Sequence, residues 1–187
     1  MFLSDTAIIK AIREKRIQIT PFREEHLRPV GVRVHLGHEL LIPVPGQTVD
    51  FSEPDEIKYD RHDLRAGPFM LTPGAFVLGS TIEKVKTAND VLCILEGRST
   101  IARLGLSIHN TASILDGNND EWLTPVLEMV NHGNFSVVLR HGVPIGMFCF
   151  NNLDHANSNR RHQSQYASQD RTMAANLSDN ALIDTFD

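Results

Sequence analysis

The 187-residue chain has only two cysteines, Cys93 and Cys149, too few for a disulfide framework. Each lies inside an apolar, strand-like run, which predicts two reduced core residues and a reducing, cytoplasmic setting. No stretch approaches the roughly 18 uninterrupted apolar residues of a membrane span, and the N-terminus has no basic segment followed by an apolar core. The chain is therefore expected to be soluble and unprocessed. Positive charge is also scarce: formal net charge is -5 and the pI is near 6.0. That excludes a broad electrostatic footprint for nucleic acid or an anionic membrane, so any phosphate binding has to be local. The sequence lacks CxxC, HExxH and His-x-Glu zinc signatures and the Gly-x-Ser-x-Gly elbow of a serine nucleophile. Its nine histidines form no tight ligand pattern; His35 and His38 are the nearest pair, and most read as surface or capping residues. No repeat of solenoid period occurs.

What is present is a succession of short apolar runs. Hydrophobic residues make up 41% of the chain, enough for one globular core. Ser4 or Asp5 can cap a short helix with Ile8, Ile9 and Ile12 on one face, ending near Lys15 and Arg16. Beyond it Ile17 and Ile19, then Val30, Val32 and Val34, alternate with polar residues, a change to strand periodicity. Runs at 40–42, 69–71, 76–78, 91–95, 126–130, 135–139 and 145–150 are separated by turn residues such as Pro45, Gly46, Pro73, Gly74, Gly133 and Pro144. That spacing predicts an antiparallel barrel or sandwich. After Phe150 the composition turns polar through Gln169, with Tyr166 the sole aromatic there. Such a segment cannot build its own core and reads as a tail or a flap ordered over a ligand or neighbouring subunit. The division is thus a β domain over 1–154 and a C-terminal flap and tail over 155–187.

Two features carry chemistry. Residues 97–106 contain Gly97, Arg98, Ser99, Thr100 and Arg103, which offer close backbone approach, two hydroxyls and two guanidinium forks for phosphate oxygens. The same string also reads as a turn with solvated arginines. Downstream, Glu128 stands alone among Val126, Leu127, Met129 and Val130. If the strand is buried on both faces, desolvation raises its proton affinity toward the range of a general base; if it is an edge strand, Glu128 faces water. The acidic loop from Asp116 to Glu121 reads either as a hard-cation loop or as a turn, and Asp116 stands where a strand end could meet a ligand hydroxyl.

Taken together these residues resemble the dCTP deaminase branch of the trimeric dUTPase superfamily. The resemblance spans most of the chain: Leu3, Ser4 and Asp5; residues 15–19; Leu36 and Gly37; residues 96–106; Thr111, Ala112 and Asp116; Val126, Leu127 and Glu128; Asn159, Arg160 and Arg161; and Ser164, Gln165, Tyr166 and Gln169. It implies a mainly β, distorted barrel subunit with a short N-terminal helix and a C-terminal flap, assembled as a homotrimer with sites between subunits. It implies zinc-free conversion of dCTP to dUTP, feeding dUMP and dTTP synthesis. Glu128 would take a proton from the attacking water, Ser99 would position that water, and Arg103 would support the base. Substrate contacts would come from Arg98, Ser99, Thr100, Ala112, Asp116, Val126, Leu127, Gln165, Tyr166 and Gln169, with Mg2+ carried by the triphosphate and no protein-held metal.

Three departures from the family pattern stand out. Arg33 occupies a position generally held by aspartate, the connection from Asp116 to Glu128 is longer, and Gln165 and Ser158 replace an expected lysine and tyrosine. Loss of the lysine ammonium weakens a triphosphate grip by about 1–3 kcal/mol unless another cation compensates. The resemblance also leaves room for dUTP hydrolysis to dUMP and pyrophosphate, alone or after deamination, for inhibition by dTTP, and for a non-catalytic nucleotide-binding trimer.

Overall fold

The computed structural model of the chain describes residues 1–50, 56–115, 122–157, 166 and 169–176. It opens with helix α1 (Asp5–Arg13), in which the Ser4 hydroxyl caps the Ala7 N–H and Ile8 and Ala11 are buried. Ser4, rather than Asp5, is the cap. The helix ends earlier than Lys15 because Lys15 adopts a left-handed φ of 59° and the N–H groups of Lys15 and Arg16 close on Ile12 and Ala11.

Strands β1 (Ile17–Thr20), β2 (Leu27–Arg28) and β3 (Gly31–His35) follow, with a single 3-10 turn at Glu24–His26 between the first two. Then come β4 (Glu39–Pro43), β5 (Tyr59–Asp63), β6 (Phe69–Leu71), β7 (Phe76–Ser80), β8 (Lys84–Thr87) and β9 (Val91–Gly97). A four-residue helix, α2 (Ser99–Ala102), precedes β10 (Leu106–Ser107), β11 (Ile114–Leu115), β12 (Val126–Asn131), β13 (Val137–Leu139) and β14 (Pro144–Asn152). The mainly β expectation holds. Among the described residues the strands form two five-stranded sheets, ordered β10-β12-β7-β4-β5 and β11-β9-β14-β3-β2, and two ribbons, β1-β8 and β13-β6, with no single closed ring.

Alternation decides what each sheet buries. In β12, Leu127, Met129 and Asn131 point inward while Val126, Glu128 and Val130 take the half-buried outer face. In β3, Val32 and Val34 are buried; Val30, grouped with them by periodicity, lies outside the strand and is exposed. The inward residues of both large sheets meet in one hydrophobic cluster that includes Leu40, Val77, Leu95, Met129, Ile145 and Phe148. Cys93 and Cys149 are both buried and free. Cys93 is registered with Phe150, and Cys149 with Ile94, so the two thiols leave opposite faces of the β9–β14 pair and cannot bridge. Burial pushes the Cys149 thiol up to about 11, with the Glu96 carboxylate adding to the effect. No described helix is long and apolar enough to cross a membrane.

Candidate functional site

Glu128 is presented by the centre of β12, registered against Leu78 of β7. Its own N–H donates to Ile108 O at 3.0 Å, and its Oε2 accepts from the Asn110 N–H at 2.9 Å. The segment leaving β10 therefore holds the strand and aims the carboxylate. Glu128 is half-buried, which lies between the two readings that periodicity allowed. Asn110 was not legible as a positioning group, because a backbone N–H carries no residue signature.

The cradle lies on α2 and its flanks. Ser99, Thr100 and Arg103 are exposed, so their hydroxyls and guanidinium face outward from the subunit. Arg98 is half-buried, and its Nη1 donates to Pro144 O at 2.6 Å, which ties it to the start of β14. The turn after α2 depends on Gly105 at φ +77°, and a Cβ there would come within 2.6 Å of Gly133 N. Glycine thus lets the turn after α2 pack against the residues that follow β12. Among the described residues no hydrogen bond or ion pair joins Glu128 to Ser99 or Arg103 within the subunit.

In the sequence Arg33 stands where the family pattern generally has an aspartate, so that a structural contact there has to be rebuilt. On β3 it is registered with Met147 of β14, and its guanidinium is held below the usual arginine range by burial and then by Arg28 and Arg98. Three guanidinium groups therefore share one region. Among the described residues Arg33 forms no ion pair with a carboxylate, while Arg28 donates to the backbone carbonyls of Glu25 and Leu27. Such a surplus of positive charge beside Arg98 suits a polyanion.

The other sequence candidates divide. Ala112 is exposed and Val126 half-buried, whereas Leu127 is wholly buried, which leaves only its backbone for a ligand. Asp116 and Gln165 lie outside the described residues, as do Arg160 and Arg161. Tyr166 is half-buried, and its hydroxyl accepts from Asn176 N–H at 2.9 Å. Gln169 is buried: Thr124 N–H donates to its carbonyl at 2.8 Å, and its side-chain amide donates to Thr124 O. Thr172 meets Oγ of Ser80, the residue that pairs with Val126, at 3.0 Å. The returning C-terminal segment is thus fastened at the entry to β12, with the Gln169 amide spent as an anchor in this conformation.

Comparison with known proteins gives one direction. A family model described as dCTP deaminase-like matches residues 2–153. A protein from Methanoculleus marisnigri named "dCTP deaminase, dUMP-forming" is 31% identical over 184 residues, covering 97% of both chains. A Rhodospirillum rubrum protein named "dCTP deaminase" is 37% identical over 164 residues, covering 82% of this chain and 83% of its own. Among solved structures, 2'-deoxycytidine 5'-triphosphate deaminase from Agrobacterium tumefaciens aligns with a TM-score of 0.58 at 15% identity, covering 80% of this chain and 47% of that one. At that identity the likeness shows a shared fold.

Proposed function

This chain belongs to the dCTP deaminase-like family, and from that premise we propose that it hydrolyses dCTP to dUTP and ammonia in pyrimidine deoxynucleotide metabolism. The observation that carries the reading is Glu128 itself: a half-buried carboxylate on a strand, with one oxygen fixed by the Asn110 N–H at 2.9 Å. A carboxylate oriented in this way can take a proton from water as the oxygen attacks C4 of cytosine, then deliver it to the amino group that leaves as ammonia. Ser99 orients the water and Arg103 supports the developing charge. Arg98, Ser99 and Thr100, helped by Arg33, hold the phosphates, whose Mg2+ arrives with the nucleotide as part of the substrate. Asp116 takes the deoxyribose hydroxyl, Ala112, Val126 and Leu127 border the base, and Gln165, Tyr166 and Gln169 belong to the closing flap.

A second reading has its own support. The Methanoculleus protein, similar over 97% of both chains, is named as dUMP-forming. A bifunctional enzyme would add a step in which a second water cleaves dUTP to dUMP and pyrophosphate. The catalytic unit is a homotrimer with each site shared between subunits, which accounts for a cradle and a base that no hydrogen bond or ion pair joins among the described residues of one chain.

Product analysis tests both. Pure protein with dCTP and Mg2+ should release ammonia together with dUTP, or with dUMP and pyrophosphate if it is bifunctional. Glu128→Gln should abolish ammonia release while leaving nucleotide affinity within a few-fold; deamination by that variant would remove Glu128 from the mechanism.

A further inference from the structure

The region where the 3-10 turn, the end of β3 and the β7–β8 connection meet contains a second cluster that the deaminase site does not use. Glu83 is only 3% exposed, and both of its oxygens are engaged by His35: Oε2 accepts from the backbone N–H at 2.8 Å, and Oε1 lies 2.6 Å from Nδ1. The ring of His26 tilts against that of His35 with centroids 4.4 Å apart. One donor atom from each of His26, His35 and Glu83 lies within 4.8 Å of the other two. A fourth oxygen is close, with Glu25 Oε1 at 3.7 Å from His26 Nε2.

A buried carboxylate needs compensating charge, and here imidazoles are what it faces. Two imidazole nitrogens and one carboxylate oxygen form a donor set that suits zinc, cobalt or nickel; magnesium and calcium prefer oxygen ligands alone. The geometry points to a structural binding site for one divalent cation of the zinc class, formed by His26, His35 and Glu83 and completed by Glu25 or a water. On binding, the ion takes the place of the hydrogen bond between His35 Nδ1 and Glu83 Oε1, and the Nδ1 proton of the neutral ring moves to Nε2.

Such an ion would clasp the turn at His26 and the end of β3 to the distant β7–β8 connection. His35 is registered with Pro144, whose carbonyl holds Arg98, so the clasp lies one strand step from the anchor of the cradle. Its role is to hold the fold, and it takes no part in deamination. The site stands or falls independently of the function proposed above.

The test is metal uptake by the full chain. Chelator-stripped protein should take up one equivalent of Zn2+ in calorimetry with excess Mg2+ present, show visible Co2+ absorption, and melt at a higher temperature with Zn2+. His26→Ala and Glu83→Gln should each weaken uptake by about tenfold or more. His26 is half-buried on a short turn that contributes no residue to the hydrophobic core, so its variant should still fold and keeps the test valid if Glu83→Gln misfolds. His155→Ala, at an exposed position, should bind as wild type does. Absence of saturable uptake, equal uptake by His26→Ala, or loss of uptake in His155→Ala would overturn the site.

Discussion

Arg33 shows how one side chain can change the strength of a site without altering its chemistry. Its neighbours across the sheet are Met147 and, beyond it, Glu96, yet it pairs with no described carboxylate and instead shares its field with Arg28 and Arg98. Unrelieved guanidinium repulsion costs stability, and a triphosphate would turn it to advantage. The sequence had already raised the need for such a cation, because Gln165 stands where the family pattern has a lysine. Arg33→Ala should therefore raise KM for dCTP about 5- to 30-fold with kcat little changed, the size of one partly screened charge-assisted contact. Steady-state kinetics at two salt concentrations checks this, since the defect should shrink as salt rises. An unchanged KM would leave Arg33 as a sheet residue only.

At the scale of elements, the two features that carry the site were legible to different degrees. Strand β12 could be read from its alternation, which placed Glu128 opposite Leu127 and Met129, but alternation gives the face and not its exposure. The cradle was readable as residue types. Its orientation was not, because that depends on Gly105 meeting Gly133 and on Arg98 reaching Pro144, contacts between segments far apart in sequence. Closure of the C-terminal segment by Gln169 on Thr124, and the meeting of His26, His35 and Glu83, were hidden for the same reason. Spacing grouped His35 with His38, whereas the fold sets His38 beside His141. Gly105→Ala tests the element directly. The left-handed φ and a Cβ within 2.6 Å of Gly133 N should together cost about 1–3 kcal/mol, seen as a lower urea midpoint, and should shift α2 enough to raise KM. A variant with wild-type stability and kinetics would show that α2 is not fixed by this contact.

For the whole molecule, the decisive fact is that the base and the cradle are not joined to each other by any hydrogen bond or ion pair among the described residues. Ser99 at the start of α2 and Arg103 just after it are exposed, Glu128 on β12 is aimed by the Asn110 N–H, and among the described residues no hydrogen bond or ion pair connects them within the subunit. A shared site in a homotrimer resolves this by letting the cradle of one chain serve the carboxylate of the next. Complementation between two inactive proteins tests that arrangement. Glu128→Gln lacks the base and Ser99→Ala lacks the water-orienting hydroxyl, so each homotrimer should be inactive. When the two are unfolded together and refolded at equal concentration, random assembly gives each site an intact Glu128 half of the time and, independently, an intact Ser99 half of the time. About a quarter of wild-type deamination should therefore return, rising and falling with the mixing ratio as the product of the two fractions. Folded proteins mixed without exchange should stay inactive. If Glu128 and Ser99 serve the same site from one chain, every site in the mixture carries a defect and no activity returns, which would place the site within the subunit.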